Sequence, residues 1–338
     1  MGLPIKDIIP KEEIALDDLN GKIVAVDAFN MLYQFLTTIR QYNGQPLMDS
    51  KGRVTSHLSG LFYRTTNMMS RGIRPVFVFD GKAPELKQKT QEKRIAAKMD
   101  AKQKFESAES DEERAKYASR ISYLSGGMIE EAKELIGALG LPVVQAPSEG
   151  EAQASFIVQN GDAWAVASQD YDSLLFGAPR LIQNLTLSKT RKLPSGLSIT
   201  INPQLIELNK VMKELELTRE QMICLGILVG TDYNPGGIHG IGQKTALKIV
   251  KQFKTPENIF EEMRKEHEFD FDWRKIFNLF MKPDVTKKYD LKFRPMDRQK
   301  LVKILVEEHE FGAERIESAI NRAIEQKEAK KQKRLKDF

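Results

Sequence analysis

The sequence predicts an α/β protein with a mostly parallel central sheet flanked by helices, a helical arch and a C-terminal helix-hairpin-helix region. Short apolar runs alternate with longer helix-like segments through the first 180 residues, and one densely charged stretch interrupts that alternation. Strands that alternate with helices are typical of parallel sheets. From about Pro203 the pattern is helical to the end of the chain.

The composition predicts a soluble globular protein inside the cell. The chain has 338 residues, 41% of them hydrophobic, and a formal net charge of +5, which is compatible with an anionic partner. Cys224 is the single cysteine, so no intramolecular disulfide forms, and its apolar neighbours predict a core position. No apolar stretch approaches the roughly 20 residues that cross a bilayer, so we expect no membrane partner.

Histidines do not indicate a metal site in this sequence. The four histidines have no cysteine or histidine at the spacing of zinc ligands, and we expect each to be structural or solvated. They are His57, His239, His267 and His309.

The elements follow in order along the chain. Four apolar runs are predicted as strands, at 23–26, 76–79, 142–144 and 164–167, and a β-like stretch with a turn at 194–196 follows Leu181. We expect a single domain over 1–325 and a flexible tail over 326–338. Its parts are an N-terminal part of the sheet (1–80), a helical arch (81–130), the rest of the sheet (131–200) and a helical part (201–325) with the hairpin near 230–255.

The predicted arch begins with a basic segment. Between Lys82 and Lys104 there are eight basic residues and three acidic ones, and the sequence turns acidic from Glu106. Such a run is most often a solvated helix face. Its position beside the acidic residues described next favours a functional role.

Acidic residues follow the predicted strands. Asp27 ends the first strand, Asp80 ends the second, and Asp170 and Asp172 come just after the fourth. Because parallel strands deliver the residues after their carboxyl ends to one edge of the sheet, we expect these side chains to converge. Ser148, before Glu149 and Glu151, resembles a helix N-cap with acids in the first turn, but capping does not explain six converging acids.

Converging carboxylates need a cation, because like charges raise one another's pKa unless they are neutralised. Ligands that are all oxygen, without histidine or cysteine, favour Mg²⁺ or Mn²⁺. Enough acids for two ions predict two-metal hydrolysis of a phosphodiester. The sequence therefore indicates phosphoryl chemistry.

A glycine-punctuated turn at 237–246 predicts a helix-hairpin-helix. Its free N–H groups and the following helix N-terminus suit a backbone phosphate. Lys244, Lys248 and Lys251 share one face of that helix at i, i+4 and i+7. Asp232 lies just before the hairpin and can reach the acids, and Tyr33 can either stack on a base or belong to the core.

These motifs resemble the flap endonuclease family, of the archaeal type, over nearly the whole chain. The matching segments are Val-Asp-Ala-Phe-Asn (26–30), Thr-Ser-His-Leu-Ser-Gly-Leu-Phe-Tyr-Arg-Thr (55–65), Val-Phe-Val-Phe-Asp-Gly-Lys-Ala-Pro (76–84), Ala-Pro-Ser-Glu-Gly-Glu-Ala-Gln-Ala (146–154), Ser-Gln-Asp-Tyr-Asp-Ser-Leu-Leu-Phe-Gly (168–177) and Gly-Thr-Asp-Tyr (230–233). The resemblance implies seven metal-site acids, Asp27, Asp80, Glu149, Glu151, Asp170, Asp172 and Asp232, of which Asp80 and Asp172 are also predicted as catalytic.

The resemblance also implies the DNA contacts. Lys87 and Arg94 would stabilise the scissile phosphate, and Tyr33 and Arg40 would place nucleotides at the junction. Leu47 and the stretch around Thr55 would form the pocket for a one-nucleotide 3′ flap. A K⁺ ion at Gly240 and Gly242 would bridge to a duplex phosphate, and Gly2 would become the amino terminus near the active site.

The resemblance implies a structure-specific 5′ flap endonuclease with 5′–3′ exonuclease activity. With two Mg²⁺ ions, or Mn²⁺ in their place, it would hydrolyse branched DNA at 5′ flap junctions in Okazaki fragment maturation and in repair, leaving 5′-phosphate and 3′-hydroxyl ends. We expect a monomer, cytoplasmic in an archaeon or nuclear in a eukaryote. The tail resembles a sliding-clamp box through Gln332, Leu335 and Phe338, although the second aromatic of that box is missing.

Three alternatives remain open from the sequence. Asp170 and Asp172 mimic the Asp-x-Asp nucleophile of haloacid-dehalogenase-type phosphatases, which form an aspartyl-phosphate. A non-catalytic module that binds branched DNA is the second alternative. An exonuclease or a junction resolvase of the same superfamily is the third, because these enzymes share the metal site.

Overall fold

The computed structural model describes residues 3–41, 44–107, 117, 123–186, 190–192 and 198–336 of the chain. The chain divides into two units. Unit 1 comprises Met1–Ala15, Asp80–Glu92 and Gln145–Lys287, and unit 2 comprises Leu16–Phe79, Lys93–Val144 and Lys288–Phe338.

The strands and helices alternate along the first half of the chain. The strands are β1 (Glu12–Glu13), β2 (Ile23–Asp27), β3 (Arg74–Phe79), β4 (Val143–Gln145), β5 (Ala165–Ala167), β6 (Arg180–Gln183), β7 (Thr190–Lys192), β8 (Ser198–Thr200) and β9 (Gln204–Glu207) among the described residues. The helices among the described residues of the whole chain are α1 (Ala28–Thr38), α2 (Ser56–Ser70), α3 (Gln88–Glu106), α4 (Gly126–Ala138), α5 (Gly150–Gln159), α6 (Asp172–Leu175), α7 (Leu208–Leu215), α8 (Arg219–Val229), α9 (Gln243–Phe253), α10 (Pro256–Glu266), α11 (Trp273–Met281), α12 (Arg298–Val302) and α13 (Ala313–Lys336). The described residues also form 3₁₀ turns at Leu16–Leu19 and Glu85–Lys87 and a π-helical turn at Lys303–Glu308.

In unit 1 the strand order is β1-β9-β6-β5. β5 pairs with β6 in parallel, with Val166 opposite Leu181, while β9 runs antiparallel to both β6 and β1. α8 is buried from Gln221 to Val229, which is the pattern expected of a central helix. Gly226 permits this, because a Cβ atom there would lie 2.6 Å from a methyl carbon of Leu175.

In unit 2 the strand order is β2-β3-β4, and β2 and β3 pair in parallel from Ile23 opposite Arg74 to Asp27 opposite Val78. Both strands are almost entirely buried, as expected of strands covered on both faces. α1 and α2 pack together, and α13 packs on α2.

The predicted α/β class, with a mostly parallel sheet and flanking helices, is confirmed. All four predicted strands are present, with ends that differ from the prediction by at most two residues. β7 and β8 form the predicted β-like pair, whose turn at 194–196 lies outside the described residues. The chain was expected to be helical from about Pro203, and this is wrong for the first residues, because strand β9 precedes helix α7. β9, β6 and β1 carry only two to four residues each, too few for a clear alternation to be read from sequence.

Other predictions concern the core and the tail. Cys224 is fully buried, as predicted, and burial raises the pKa of its thiol. α13 continues through the predicted tail to Lys336, while the division into a domain over 1–325 and a tail over 326–338 stays a prediction. None of the helices in the described part of the chain is long and apolar enough to cross a membrane.

Candidate active site

Two backbone segments of unit 1 place Asp80 beside the start of α5. Gly81 N donates to Ser148 O at 2.6 Å, and Lys82 N donates to Pro147 O at 3.1 Å. A Cβ atom on Gly81 would lie 2.2 Å from a backbone oxygen, so only glycine allows this approach. The Asp80 carboxylate then accepts a hydrogen bond of 2.6 Å from Gly150 N, the first residue of α5.

Glu149 precedes the same helix. The N-cap of α5 is Glu149 and not Ser148, so the predicted cap is wrong by one residue. The side chain of Glu149 makes no capping hydrogen bond, because it points to Lys87, whose Nζ lies 2.7 Å from its Oε2 atom. A residue at a helix start that does not cap is available for other chemistry.

Lys87 joins two of the predicted acids. Its Nζ atom also lies 3.3 Å from Oδ2 of Asp232, and all three side chains are at most 15% exposed. Burial by itself lowers the pKa of Lys87, but the charges of Glu149 and Asp232 more than offset this and raise it. Lys87 is therefore a cation at any ordinary pH.

Asp172 lies at the start of α6 and is buried. Burial, followed by the charges of Asp170 and Asp232, raises the pKa of Asp172 to about 8. Its Oδ1 atom is buried without a hydrogen-bond partner among the described residues. The pKa values of Asp80 and Glu149 are raised as well, mainly by burial. Burial therefore makes the ionised forms of these acids unfavourable unless a cation stabilises them.

Ser168 connects the remaining acids of unit 1. Its hydroxyl donates to Oε1 of Glu151 at 2.7 Å and accepts from the backbone N of Asp170 at 3.2 Å. Ser168 lies inside a motif recognised from sequence, but its role depends on a contact across 17 residues that spacing does not reveal. Tyr233 was also missed: burial, and then the charges of Glu149 and Asp172, raise its pKa well above the ordinary value.

The acids of unit 1 fit hard divalent cations. All donors are oxygens, and the partnerless Oδ1 of Asp172 together with the raised pKa values indicates that the ionised acids are unfavourable here without a further cation. Within the described part of the chain, no three His, Cys, Asp or Glu side chains are arranged to hold a metal ion as they stand. The Lys87 ammonium lies between Glu149 and Asp232, so it supplies the positive charge that a metal ion would supply.

Several predicted residues belong to unit 2. Asp27 is buried at the end of β2, and its Oδ1 accepts from Asn30 N at 3.0 Å, which caps α1. Tyr33 is half-buried on α1. Arg40 donates to its own loop, with Nη1 2.7 Å from Gly44 O. Leu47 O accepts from Thr55 N at 2.7 Å, so these two residues are neighbours.

Two histidines that are distant in sequence meet in unit 2. His57 Nε2 lies 3.3 Å from Glu131 Oε2, and His309 Nε2 lies 3.7 Å from Glu131 Oε1. Both histidines are buried, which corresponds to the structural alternative of the prediction that each histidine is structural or solvated.

The predicted hairpin is present in unit 1. Ile238 and Ile241 are buried, Gly240 has a φ of 83°, and Gly242 is the N-cap of α9. Lys244, Lys248 and Lys251 are exposed on that helix. Lys251 forms an ion pair of 2.8 Å with Glu216.

The remaining predicted residues are described only in part. Arg94 lies on α3, and Gln332 and Leu335 lie on α13, but their side chains are outside the described part of the structure. Gly2 and Phe338 lie outside the described residues.

Comparisons with known proteins decide the family. The chain matches the XPG N-terminal domain over residues 5–101 and the XPG I-region over residues 140–232. It is 53% identical to flap endonuclease 1 of Hyperthermus butylicus over 329 residues, which cover 95% of this chain and 94% of that protein. Flap endonuclease 1 of Pyrococcus furiosus is 52% identical over 326 residues, with the same coverage. The chain belongs to the flap endonuclease family.

Solved structures agree with this family assignment. Flap endonuclease-1 from Methanococcus jannaschii matches with a TM-score of 0.77 and 42% identity, covering 97% of this chain and 100% of that one. The catalytic core of Rad2 in complex with DNA substrate shares the fold, with a TM-score of 0.69 and 23% identity over 94% of this chain and 96% of that one.

Membership of the flap endonuclease family identifies the chain as a DNA-hydrolysing nuclease. Nucleases of this family are generally metal-dependent, which agrees with the oxygen-only donors of the site. The phosphatase alternative is wrong, and so is the non-catalytic binding module.

Proposed function

We propose that the chain is a structure-specific 5′ flap endonuclease with 5′–3′ exonuclease activity, acting on branched DNA in Okazaki fragment maturation and repair. One observation supports this most directly. In a chain of the flap endonuclease family, Asp80, Glu149, Asp172 and Asp232 form one electrostatically connected group around Lys87. Buried acids whose pKa values perturb one another are typical of sites that bind cations and phosphates.

The proposed cofactor is a pair of Mg²⁺ ions, which Mn²⁺ can replace. Asp80, Glu149 and Asp172 would hold them, with Glu151, Asp170 and Asp232 completing the set in unit 1. Asp27 is included because it ends β2 and because the family resemblance implies it. When bound, such ions lower the pKa of water and stabilise a leaving oxygen, which gives 5′-phosphate and 3′-hydroxyl ends.

The cationic side chains have separate proposed roles. Lys87 keeps its backbone position and turns its ammonium from the acids to the scissile phosphate, where the positive charge stabilises the developing negative charge. Arg94 acts at the same phosphate by family resemblance. Lys244, Lys248 and Lys251 hold the duplex through its phosphates without reading bases, and Tyr33 and Arg40 order the nucleotides at the junction.

The test compares substrates and variants directly. A 5′-labelled double-flap DNA, matched duplex and matched single strand are incubated with Mg²⁺ or EDTA, using wild type, Asp172→Asn and the control Glu214→Gln. Glu214 is an exposed acid on α7. Two results together support the proposal. Wild type and the control cut at the flap junction with Mg²⁺ and not with EDTA, and Asp172→Asn binds the flap DNA without cutting it. Preference for a four-way junction, or digestion only from free 5′ ends, contradicts it in favour of the related resolvases or exonucleases.

Three further proposals rest on the family resemblance. The protein is a monomer, which sedimentation at micromolar concentration measures. A K⁺ ion at Gly240 and Gly242 links the hairpin to a duplex phosphate, which predicts tighter duplex binding in K⁺ than in an equal concentration of a larger organic cation. The tail binds a sliding clamp through Gln332, Leu335 and Phe338.

A further inference from the structure

We infer that Thr90 is a positioning residue for the proposed cleavage. Its buried hydroxyl holds the start of α3 on the loop that carries Asp232, and thereby fixes the backbone position from which the Lys87 side chain extends. The inference rests on the proposed function, because it assigns a residue to that same site.

The contact itself is unusual for a threonine in the first turn of a helix. Thr90 is 6% exposed, and its Oγ1 donates to the backbone carbonyl of Asp232, 142 residues away in the sequence. Threonine hydroxyls in helices usually bond to the carbonyl one turn earlier in the same helix. This hydroxyl instead joins two segments of unit 1.

The loop that accepts this hydrogen bond is fixed from its own side. Asn234 Oδ1 accepts from Thr231 N at 3.1 Å, and Asn234 Nδ2 donates to Ile227 O at 2.7 Å. Tyr233 N donates to Thr231 Oγ1 at 3.1 Å. The Asp232 carbonyl is therefore a rigid anchor, and Thr90 attaches α3 to it.

Lys87 depends on this attachment because it lies three residues before Thr90, at the end of the turn that leads into α3. Its long side chain must reach Glu149 Oε2 at 2.7 Å and Asp232 Oδ2 at 3.3 Å. Lys87 and Thr90 thus contact the same residue, one through its carboxylate and one through its carbonyl. A shift of α3 by about 1 Å would misplace the ammonium, and misplacements of that size cost up to about a hundredfold in rate.

The first experiment removes the hydroxyl and keeps the shape. Thr90→Val is expected to lower the single-turnover cleavage rate of a double-flap DNA by about tenfold, with its Kd unchanged within about twofold. Thr90→Ser, which keeps the hydroxyl, restores the wild-type rate. Thr66→Val is the matched control: Thr66 is buried, and its hydroxyl donates to Phe62 O at 2.8 Å in α2. It is expected to lower the melting temperature without lowering the rate.

The second experiment asks whether Thr90 acts through Lys87. If it does, Lys87→Met/Thr90→Val is no slower than Lys87→Met alone, because the positioned group is already gone. A purely structural role predicts that the two rate losses multiply. Thr90→Ala, which also lacks the hydroxyl, repeats the comparison if Thr90→Val does not fold.

The outcomes separate this inference from the proposed function. If wild type cuts flaps and Thr90→Val cuts them at the same rate, the role of Thr90 is overturned and the proposed function is not. The same holds if the two rate losses multiply in the double variant. A wild type that binds flaps and cuts none with any divalent metal overturns the proposed function, and the inference with it.

Discussion

The charges around Lys87 do not balance. Four largely buried carboxylates, on Asp80, Glu149, Asp172 and Asp232, share one ammonium, and burial raises the pKa values of the first three. Removing charge from water is unfavourable unless it is paired, so a protein keeps such a group only where something else compensates for it. In this family the compensating charges are expected to be metal ions and the cations that approach substrate phosphate.

Asp172 gives a pH-dependent prediction for the metal-free protein. Its pKa is about 8 in the folded state, above its ordinary value of 3.8, so folding favours the protonated form. The stability that this group contributes is present below pH 3.8 and is lost as the pH rises through about 8. In EDTA, Asp172→Asn should therefore raise the melting temperature more at about pH 8 than at about pH 5.

Two comparisons check the Asp172 prediction. The exposed control Glu214→Gln should shift the melting temperature equally at the two pH values. Mg²⁺ should stabilise wild type at about pH 8, by about 2.7 kcal/mol at a hundred times its Kd, and should stabilise Asp172→Asn less. A shift for Asp172→Asn that does not depend on pH would mean that Asp172 is ionised in the folded metal-free protein.

Lys87 gives the second prediction at this scale. Lys87→Met leaves Glu149 and Asp232 without their cation, so metal-free stability at neutral pH should fall by about 1–3 kcal/mol. Cleavage with saturating Mg²⁺ should slow by about 10²–10³-fold, because a charge aimed at the scissile phosphate is lost. Chemical unfolding and single-turnover kinetics measure the two effects. The control Lys265→Met removes only an exposed ion pair with Glu262, so it should change the metal-free stability and the cleavage rate very little.

At the scale of elements, the hairpin and α9 give a prediction about salt. Lys244→Ala and Lys248→Ala should each weaken duplex binding without changing sequence preference, and each should reduce the salt slope of log K by about 0.9. Lys251→Ala should have a smaller effect, because Lys251 is already paired with Glu216. Binding isotherms over a salt series test this prediction, with Lys265→Ala on α10 as the control. If neither Lys244→Ala nor Lys248→Ala changes the salt slope of log K, α9 is excluded as the phosphate-binding helix.

Two helical glycines test the packing of unit 2. A Cβ atom on Gly60 of α2 would lie 2.2 Å from the ring of Phe35 on α1, whereas one on Gly137 of α4 would meet nothing within 4 Å. Gly60→Ala should destabilise by about 1–3 kcal/mol, because the ring cannot yield without moving the helix. Gly137→Ala should stabilise by about 0.5–1 kcal/mol, since alanine favours helix. Equal effects in chemical unfolding would contradict the close approach of α1 and α2.

At the scale of the whole molecule, the tail is expected to be separable from catalysis. Removal of residues 326–338 should leave flap cleavage by the protein alone unchanged, since the acids of unit 1 and the hairpin precede it. Stimulation by a sliding clamp should be lost, which a cleavage assay with and without clamp measures. The point variant Gln332→Ala controls for the change in chain length. If the clamp still stimulates cleavage by both the shortened protein and Gln332→Ala, clamp binding lies elsewhere in the chain.

Local patterns predicted much of this molecule. The apolar runs at 23–26 and 76–79 became β2 and β3, because buried parallel strands have a continuous hydrophobic sequence. The isoleucines of the hairpin at 238 and 241 are buried, because that motif depends on short-range geometry. The short strands β1, β6 and β9 were missed, since two to four residues carry too little periodicity.

The sequence by itself determined the chemistry available to the protein: carboxylates after strands, a basic segment and a glycine-punctuated hairpin, all set by residue type and spacing. Only the tertiary structure decided which groups meet. Ser168 reaches Glu151, Thr90 reaches Asp232, and Glu149 points to Lys87 instead of capping its own helix. The physical reason is that hydrogen bonds and charge pairs depend on distance in space, and folding brings together residues that no spacing along the chain connects.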